Sequence, residues 1–362
     1  MIYTRPSFRI DAPQAPKHVN EHVSARRPLK IIGRTGQGLS VLVDDSAVRG
    51  ETTNIIMNGY LLDLEAIERG AVAQIEPVKV KVALTDDMQL AMAQERDLLA
   101  EISGTSGFPE LVTSGTFAGW EPVQYQPTET RIEQASYFVM RVLPGQDLAL
   151  YTLPWKDSAP PRSKLSLLTG KAFPQLPRLT AQLHAKGIVH RDVKPNNALF
   201  DDQTVSLLDL GRANRLAAEP RKDIGTYGYF PPEAMVEGPS AEDVRYDTYG
   251  VGAAIFSVLT GQRILYNGMP DIWNMGGMDF MFVSPRTRMQ EYCQLMGAMG
   301  HRTPAELLKE LNMPGEIKET SLAKYLAELI HPAKEQRPVN HAEIADKLQL
   351  FGAELETLEI WT

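Results

Sequence analysis

The chain of 362 residues holds one cysteine, Cys293, so no disulfide can form within it, which fits a reducing compartment. It has no run approaching the roughly 20 consecutive apolar residues that span a bilayer. The longest candidate, Gly250–Leu259, is short and rich in small residues. No apolar segment follows the first basic residue of the opening Met1-Ile-Tyr-Thr-Arg-Pro6, so no secretory signal is expected. An excess of positive charge is missing too. The formal net charge is −8, which argues against a general nucleic-acid-coating role. The seven histidines lack metal-ligand spacing, and His184 and His190 stand too far apart for a same-face helical pair. No internal repeat is present. What is there is an ordinary globular composition, 43% hydrophobic and 23% charged, long enough for two lobes and able to build a core without disulfide or structural metal. The expectation is a soluble, cytoplasmic protein with no membrane span and no nucleic-acid partner.

Residues 1–29 are rich in Pro, Arg, His and Asn without apolar period, and read as a flexible N-terminal extension suited to a regulatory or docking partner. Two short apolar runs between Leu29 and Val43 flank Gly33-Arg-Thr-Gly-Gln-Gly38, a strand, glycine-rich turn and strand. Residues 44–60 carry no decisive pattern. Val78-Lys-Val-Lys-Val82 alternates with period two, as a half-buried strand does. Asp86–Ile102 predicts a helix, with Met88, Met92, Leu98, Leu99 and Ile102 near one face and Thr85 or Asp86 as N-cap. Glu95 lies on that same stripe, where a carboxylate needs a partner because an unpaired buried charge is costly. An apolar run, Ala135–Leu143, and a proline-rich stretch, Ser158–Arg162, come next. Helix patterns dominate Ser166–His184 and the chain after Asp247. Between them two short strands, Asn197–Phe200 and Val205–Leu208, are joined through Asp201-Asp-Gln203 as a hairpin. Strands first and helices later predict an α+β fold, a mostly β lobe followed by a mostly α lobe. The boundaries follow as 1–29 for the extension, 30–143 and 144–355 for the lobes, and 356–362 for a tail.

The densest chemistry is His190-Arg-Asp-Val-Lys-Pro-Asn-Asn197, followed twelve residues after Asn197 by Asp209-Leu-Gly211. Phosphoryl transfer needs a carboxylate near the attacking hydroxyl, cations on the phosphates and oxygen ligands for magnesium. One tight loop offers Asp192, Lys194 and Asn197, and the hairpin returns Asp209 beside them. Over roughly residues 30–350 the chain resembles the eukaryotic-like Ser/Thr protein kinase family. That resemblance implies a two-lobed kinase fold, with an αC helix in the mostly β N-lobe, and ATP and Mg2+ as co-substrate and metal. It gives Asp192 the acceptor hydroxyl, Lys194 the γ-phosphate, and Asn197 and Asp209 the metal, with Leu210 in place of the usual Phe before Gly211. Val78-Lys-Val-Lys81 is similar to V-A-I-K, which makes Lys81 the phosphate-contacting lysine and Glu95, fourteen residues on, its ion-pair partner. Phe138–Gly145 looks like the hinge, with Met140 as gatekeeper, Val142 at the adenine and Asp147 placed for the ribose. Gly225-Thr-Tyr-Gly-Tyr-Phe-Pro-Pro-Glu233 resembles the substrate-docking segment that contains Thr226. Asp247-Thr-Tyr-Gly-Val-Gly252 resembles the αF motif that anchors the catalytic loop, and Arg337 matches the arginine that pairs with Glu233. Protein substrates with Ser or Thr acceptors are the implied partners.

The chain departs from the family pattern in two places. Gly36 and Gly38 supply two of the three glycines of the phosphate-covering loop, but this choice demands an insertion of some thirty residues before Lys81. A competing register, Ile67–Ile75, keeps the loop spacing with one glycine, Gly70. Gly33–Ser40 also approaches a Walker A loop, but Leu39 stands where the lysine must be. From Arg212 to Asp223 there is no Ser, Thr or Tyr to offer a phosphate to Arg191, so activity without loop phosphorylation is expected, with Glu219 holding Arg191. The four basic residues there, Arg212, Arg215, Arg221 and Lys222, either favour acidic partners or are plain solvated surface. Two further functions stay open: a pseudokinase that binds nucleotide as a scaffold, and a small-molecule phosphotransferase of the aminoglycoside or choline type. Against the second stand Lys194 and the segment Gly225–Glu233. The compressed activation segment and irregular N-lobe also suggest a bacterial kinase or a secreted effector that works in a host cytosol.

Overall fold

The computed structural model describes residues 29–44, 55–71, 75–83, 86–118, 134–153, 162–216, 218, 225–236, 243–264 and 285–357. The chain divides into two compact units, one of residues up to Gly104 with Pro109–Val142, the other of Thr105–Phe108 with Leu143 onward.

In the first unit six strands form one antiparallel sheet in the order β1-β2-β3-β4-β6-β5. They are β1 (Leu29–Arg34), β2 (Ser40–Asp44), β3 (Ile55–Leu62), β4 (Ile75–Ala83), β5 (Leu111–Ala118) and β6 (Gln134–Arg141). A short helix, α1 (Leu64–Glu68), follows β3, and α2 (Asp86–Ile102) follows β4. The N-cap expected at Thr85 lies outside the described residues, and Asp86 is already helical. β3 was the element without a decisive pattern. Asn58 and Gly59, both poor strand formers, interrupt its alternation, and pairing with β4 along all eight residues overrides them.

The pleat divides the sheet's side chains. Val41 and Val43 of β2, Met57 and Leu61 of β3, Val78, Val80 and Val82 of β4, and Tyr137 and Val139 of β6 share one face and are all buried. The two edge strands, β1 and β5, reach each other across this face, so the sheet rolls up around it. The opposite face of β4 and β6 carries Lys81, Ala83 and Phe138, and α2 packs against these strands. α2 buries Met88, Met92, Leu98, Leu99 and Ile102, the stripe its spacing predicts.

The second unit is mostly helical. The two-residue strand β7 (Gln146–Asp147) pairs with β9 (Ala198–Phe200), which pairs in turn with β10 (Val205–Leu207). Two further short strands, β8 (Ile188–Val189) and β11 (Asn214–Arg215), pair with each other. The helices are α3 (Arg162–Leu167), α4 (Phe173–Ala185), α5 (Pro232–Val236), α6 (Val244–Thr260), α7 (Pro285–Ala298), α8 (Pro304–Glu310), α9 (Gly315–Lys318), α10 (Ser321–Leu329) and α11 (His341–Glu356). A π-helical turn, Leu168–Ala172, joins α3 to α4. α6, which contains the Gly250–Leu259 run, is buried along almost its whole length, and α4 packs on both α6 and α11. Among the described residues no helix is long and apolar enough to cross a membrane.

Gly33 marks where β1 closes over the sheet. A Cβ at this position would fall 1.8 Å from Tyr137 Oη and 2.8 Å from its Cζ. Gly33→Ala is therefore expected to destabilise the protein by about 1–3 kcal/mol, the usual cost of overpacking. Tyr137→Phe, which removes the nearer atom, should restore part of the loss when the two changes are combined. Urea denaturation of the two single variants and the double variant measures this coupling.

Candidate active site

The charged residues of interest form two clusters, one in each unit. In the first unit, Lys81 projects from β4 toward α2, and its Nζ donates to both carboxylate oxygens of Glu95, at 2.8 and 2.7 Å. Both side chains are about 96% buried, at 4% and 3% exposure. A buried ammonium is tolerated only beside a compensating charge, and the two-point contact supplies it. The pair accounts for a carboxylate on the apolar stripe of α2. Met140, half-buried on β6, lies opposite Lys79 and Leu111, and Val142 follows the end of the strand at 44% exposure.

The register of the sheet corrects the placement of Gly36 and Gly38. Their turn ends at Ser40, which is level with Leu62 and, through β3, with Ile75. Lys81 is level with Ile56 instead. Six residues of extended chain, about 20 Å, lie between those levels, so the turn Thr35–Leu39 sits at the end of the sheet far from Lys81. Gly36 and Gly38 cannot cover a phosphate that Lys81 contacts. The competing register fares no better, since it begins in α1, leads into Ile75 at the same far end, and includes residues 72–74, outside the described residues. At the Lys81 end, β2 and β3 are joined by residues 45–54, also outside the described residues.

In the second unit the site is built on a buried carboxylate in α6. Asp247 Oδ1 accepts from the backbone N–H of Arg191 at 2.8 Å, and its Oδ2 accepts from the N–H of His190 at 2.9 Å. Oδ2 also meets His184 Nε2 from α4 at 2.7 Å. Burial pushes the Asp247 carboxyl up, but the hydrogen bond and charge of His184, with His190, outweigh it and hold the group below its ordinary range. His190 is itself buried and its Nε2 donates to the carbonyl of Leu208 at 2.9 Å, while Leu208 N–H donates to the carbonyl of Asn197 at 2.7 Å. These bonds bring the end of β10, and so Asp209, alongside Asn197.

The anchored loop aims Asp192. Asn197 Nδ2 donates both to the Asp192 carbonyl and to its Oδ2, each at 3.0 Å. Lys194 Nζ lies 3.1 Å from the same Oδ2. The other oxygen, Oδ1, accepts from Thr226 N–H at 2.9 Å, and Lys194 also donates to Thr226 Oγ1 at 2.7 Å. With Asn197's amide hydrogens turned to Asp192, its carbonyl oxygen is the atom that suits a hard cation, as does the Asp209 carboxylate. That donor set fits magnesium, which takes few protein ligands and completes its shell with phosphate and water. Asp209 adopts φ 60°, and its Oδ1 accepts from Gly211 N–H at 3.3 Å. Arg191 also has a positive φ, 65°. Gly225, at φ 68°, comes so near the Arg191 carbonyl that a Cβ would lie 2.7 Å from it. Left-handed backbone at two non-glycine residues, one before β9 and one after β10, is strain that persists only where the surroundings hold it.

The segment Gly225–Glu233 is held at its end by Glu233. Arg337 donates to both oxygens of Glu233, at 2.6 and 2.7 Å, and to the carbonyls of His331 and Pro332. Asp147 lies on β7 opposite Leu199. Arg191 donates to the carbonyl of Arg212 at 3.1 Å and stacks over the Tyr246 ring. Glu219, expected to hold Arg191, lies outside the described residues, as do Arg221 and Lys222.

Sequence reasoning missed the histidines under the loop. His341, from the first turn of α11, meets His184 edge to face at 4.4 Å between ring centroids. Its two ring nitrogens lie 2.6 Å from Thr180 Oγ1 and 2.9 Å from Thr248 Oγ1. No spacing links positions 184, 247 and 341. The only signal was the need of a carboxylate in a small, apolar helix for partners.

The chain belongs to the protein kinase family: the model of the protein kinase domain matches residues 123–344, more than half of it. Serine/threonine-protein kinase PknL from Mycobacterium tuberculosis is 35% identical over 130 residues, 34% of this chain and 31% of that protein. Serine/threonine-protein kinase SBK1 from Mus musculus is 32% identical over 136 residues, 36% of this chain and 31% of that protein. Serine/threonine-protein kinase MRCK gamma from Homo sapiens is 31% identical over 142 residues, 37% of this chain and 9% of that protein. The chain thus spans about a third or less of the length of these relatives. Lys81 and Glu95 precede the matched residues.

The histidine cluster predicts a pH dependence. Burial, and next the neighbouring His184, push His341 down to about 4 from its ordinary 6.5. The unfolded chain then binds the extra proton between pH 6.5 and 4, so this contribution is complete above that window and is lost as pH falls through it. The loss attributable to His341 is expected to reach about 2–3 kcal/mol between pH 7 and 4.5. Urea midpoints at the two pH values, compared between the natural chain and His341→Asn, should show a shallower fall in the variant.

Proposed function

We propose that this chain transfers the γ-phosphoryl group of ATP to Ser or Thr hydroxyls of protein substrates. The observation that carries the reading is the Asp192 carboxylate, buried on an anchored loop, with Asn197 and Lys194 on one oxygen and the Thr226 amide on the other. Such a carboxylate is oriented to accept a hydrogen bond from an incoming hydroxyl and to take its proton. As the acceptor oxygen bonds to the γ-phosphorus, the bond from phosphorus to the bridging oxygen of ADP breaks, and the hydroxyl proton passes to Asp192.

Lys194, already beside Asp192, neutralises charge on the transferring group. Lys81, held by Glu95, contacts the phosphates of ATP, and Asn197 and Asp209 are the magnesium ligands. Magnesium, when bound, supplies positive charge to the phosphate oxygens. In the same reading the first unit is the N-lobe with α2 as its αC helix, the second is the C-lobe, and the lobes span 30–143 and 144–355. Met140 and Val142 serve the adenine and Asp147 the ribose. The segment Thr226–Glu233 receives the protein substrate, and residues 1–29 dock a regulatory partner. Lys194 and this docking segment favour a protein acceptor over a small metabolite.

Phosphate transfer from labelled ATP with magnesium, to the chain itself and to a generic basic protein, tests the reading beside two variants. Asp192→Asn should lower kcat by about 10²–10⁴-fold, with nucleotide affinity nearly unchanged. Asp209→Asn should weaken binding of the magnesium nucleotide as well. Nucleotide binding without any transfer would sink the kinase reading and leave a nucleotide-binding scaffold.

A further inference from the structure

His341 is a buried titratable side chain that the proposed mechanism leaves without a task. It stands in the first turn of α11 at 3% exposure, and both of its ring nitrogens are engaged. Nδ1 lies 2.6 Å from Thr180 Oγ1 of α4, and Nε2 lies 2.9 Å from Thr248 Oγ1 of α6. The surrounding bonds assign the hydrogens. Thr248 Oγ1 donates to the Pro338 carbonyl at 3.0 Å, so it accepts from Nε2–H, and the bare Nδ1 accepts from the Thr180 hydroxyl. Burial, and next the neighbouring His184, push this imidazole down to about 4, so at neutral pH the ring carries no charge. A neutral ring with one donor and one acceptor fits this pair of hydroxyls and locks α11 to α4 and α6 at once.

The locked ring is a wall for a second one. His184 meets it edge to face, with 4.4 Å between centroids and 82° between planes. The His184 side chain has one polar contact among the described residues, Nε2 with Asp247 Oδ2 at 2.7 Å. One hydrogen bond alone is a loose restraint on the χ2 of an imidazole, and a fixed neighbour packed against the ring completes it. His341 reaches Asp247 by a shorter route as well, since Thr248 is the next residue of α6. Asp247 in turn holds the backbone N–H groups of His190 and Arg191, and the residue after them is Asp192. The Asp192 oxygens face fixed partners, Oδ1 the Thr226 N–H, and Oδ2 Asn197, Lys194 and, at 4.0 Å, the Arg212 guanidinium. A misplacement of about 1 Å in such a group can cost about a hundredfold in rate.

We propose that His341 is a positioning residue for phosphoryl transfer: held by Thr180 and Thr248, it fixes His184 against Asp247 and so fixes the direction of Asp192. This rests on the kinase reading above. Loss of the ring then slows the transfer step and spares nucleotide binding, because the group it directs is the one that meets the acceptor hydroxyl.

Transfer from labelled ATP with magnesium, by the full chain to a generic basic protein or to itself, tests this at a temperature where circular dichroism shows each variant folded. His341→Leu, which keeps bulk and removes both nitrogens, should lower kcat of the folded enzyme by about tenfold and leave KM for ATP within about twofold. His341→Gln, whose amide again offers one donor and one acceptor, should recover most of the rate. Thr180→Val, which removes one restraint and keeps the shape, should slow transfer by about threefold. When His341→Leu is combined with His184→Asn the losses should not multiply, since both act through one ring. An unchanged kcat in folded His341→Leu overturns the inference and leaves the kinase reading intact. If that variant does not fold, an unchanged kcat in Thr180→Val does the same. Losses that multiply with His184→Asn, a KM for ATP that rises as kcat falls, or a His341→Gln variant no faster than His341→Leu also overturn it, since the ring would then serve only the fold at large. Absence of any transfer by the unaltered chain overturns the kinase reading and the inference with it.

Discussion

The second unit depends on one carboxylate that a helix core should not hold. Asp247 has no exposed surface and lies in α6, whose other buried residues are apolar, small or aromatic. Burying a charge without partners costs many kcal/mol. Here two backbone N–H groups and a histidine answer it, and the two N–H groups belong to consecutive residues of the loop that carries Asp192. The same bonds therefore satisfy the helix and hold the loop. Arg191 is kept at a positive φ, and each later residue of the loop inherits its direction from that constraint. Gly250, one turn along α6, lets the loop come close, since a Cβ there would lie 3.1 Å from that of Val193.

The two ion pairs outside the loop apply the same principle to different ends. Lys81 with Glu95 joins a strand to a helix, and Arg337 with Glu233 joins α5 to the chain just ahead of α11. Each is a buried two-point contact, so either partner alone would be an uncompensated charge, and each pair specifies one arrangement of its elements more than it adds stability. Arg337 also stacks over Tyr249 of α6, which ties this second pair to the helix that bears Asp247.

Much of this was legible from residue order. The period of Asp86–Ile102 predicts the observed helix and its buried face, and the alternation at Val78–Val82 falls inside β4. The hairpin of β9 and β10 lies within the runs expected for it. Glu95 shows in the sequence as a carboxylate on an apolar helix face that needs a counter-charge, and the resemblance to the kinase family is what names Lys81 as its partner. Less legible was β3, where Asn58 and Gly59 hide the alternation, and with it the place of the glycine turn. Glycine density points to Gly36 and Gly38, but which end of a sheet a turn occupies depends on how many strands lie between it and Lys81. Missing one strand reverses the answer.

By itself, the sequence determined the helix over Asp86–Ile102 with its buried face, the strand at Val78–Val82, and the gathering of Asp192, Lys194 and Asn197 in one short loop, because these follow from local period and from closeness along the chain. The tertiary structure alone decided what depends on contacts between distant positions. It set Gly36 and Gly38 at the far end of the sheet, brought His341 against His184 and Asp247, and put the Arg212 guanidinium beside Asp192. Sequence separation carries no information about such distances: 157 residues divide His184 from His341 (341 − 184), and their rings still touch. Only the packing of α4, α6 and α11 around a shared core determines that contact.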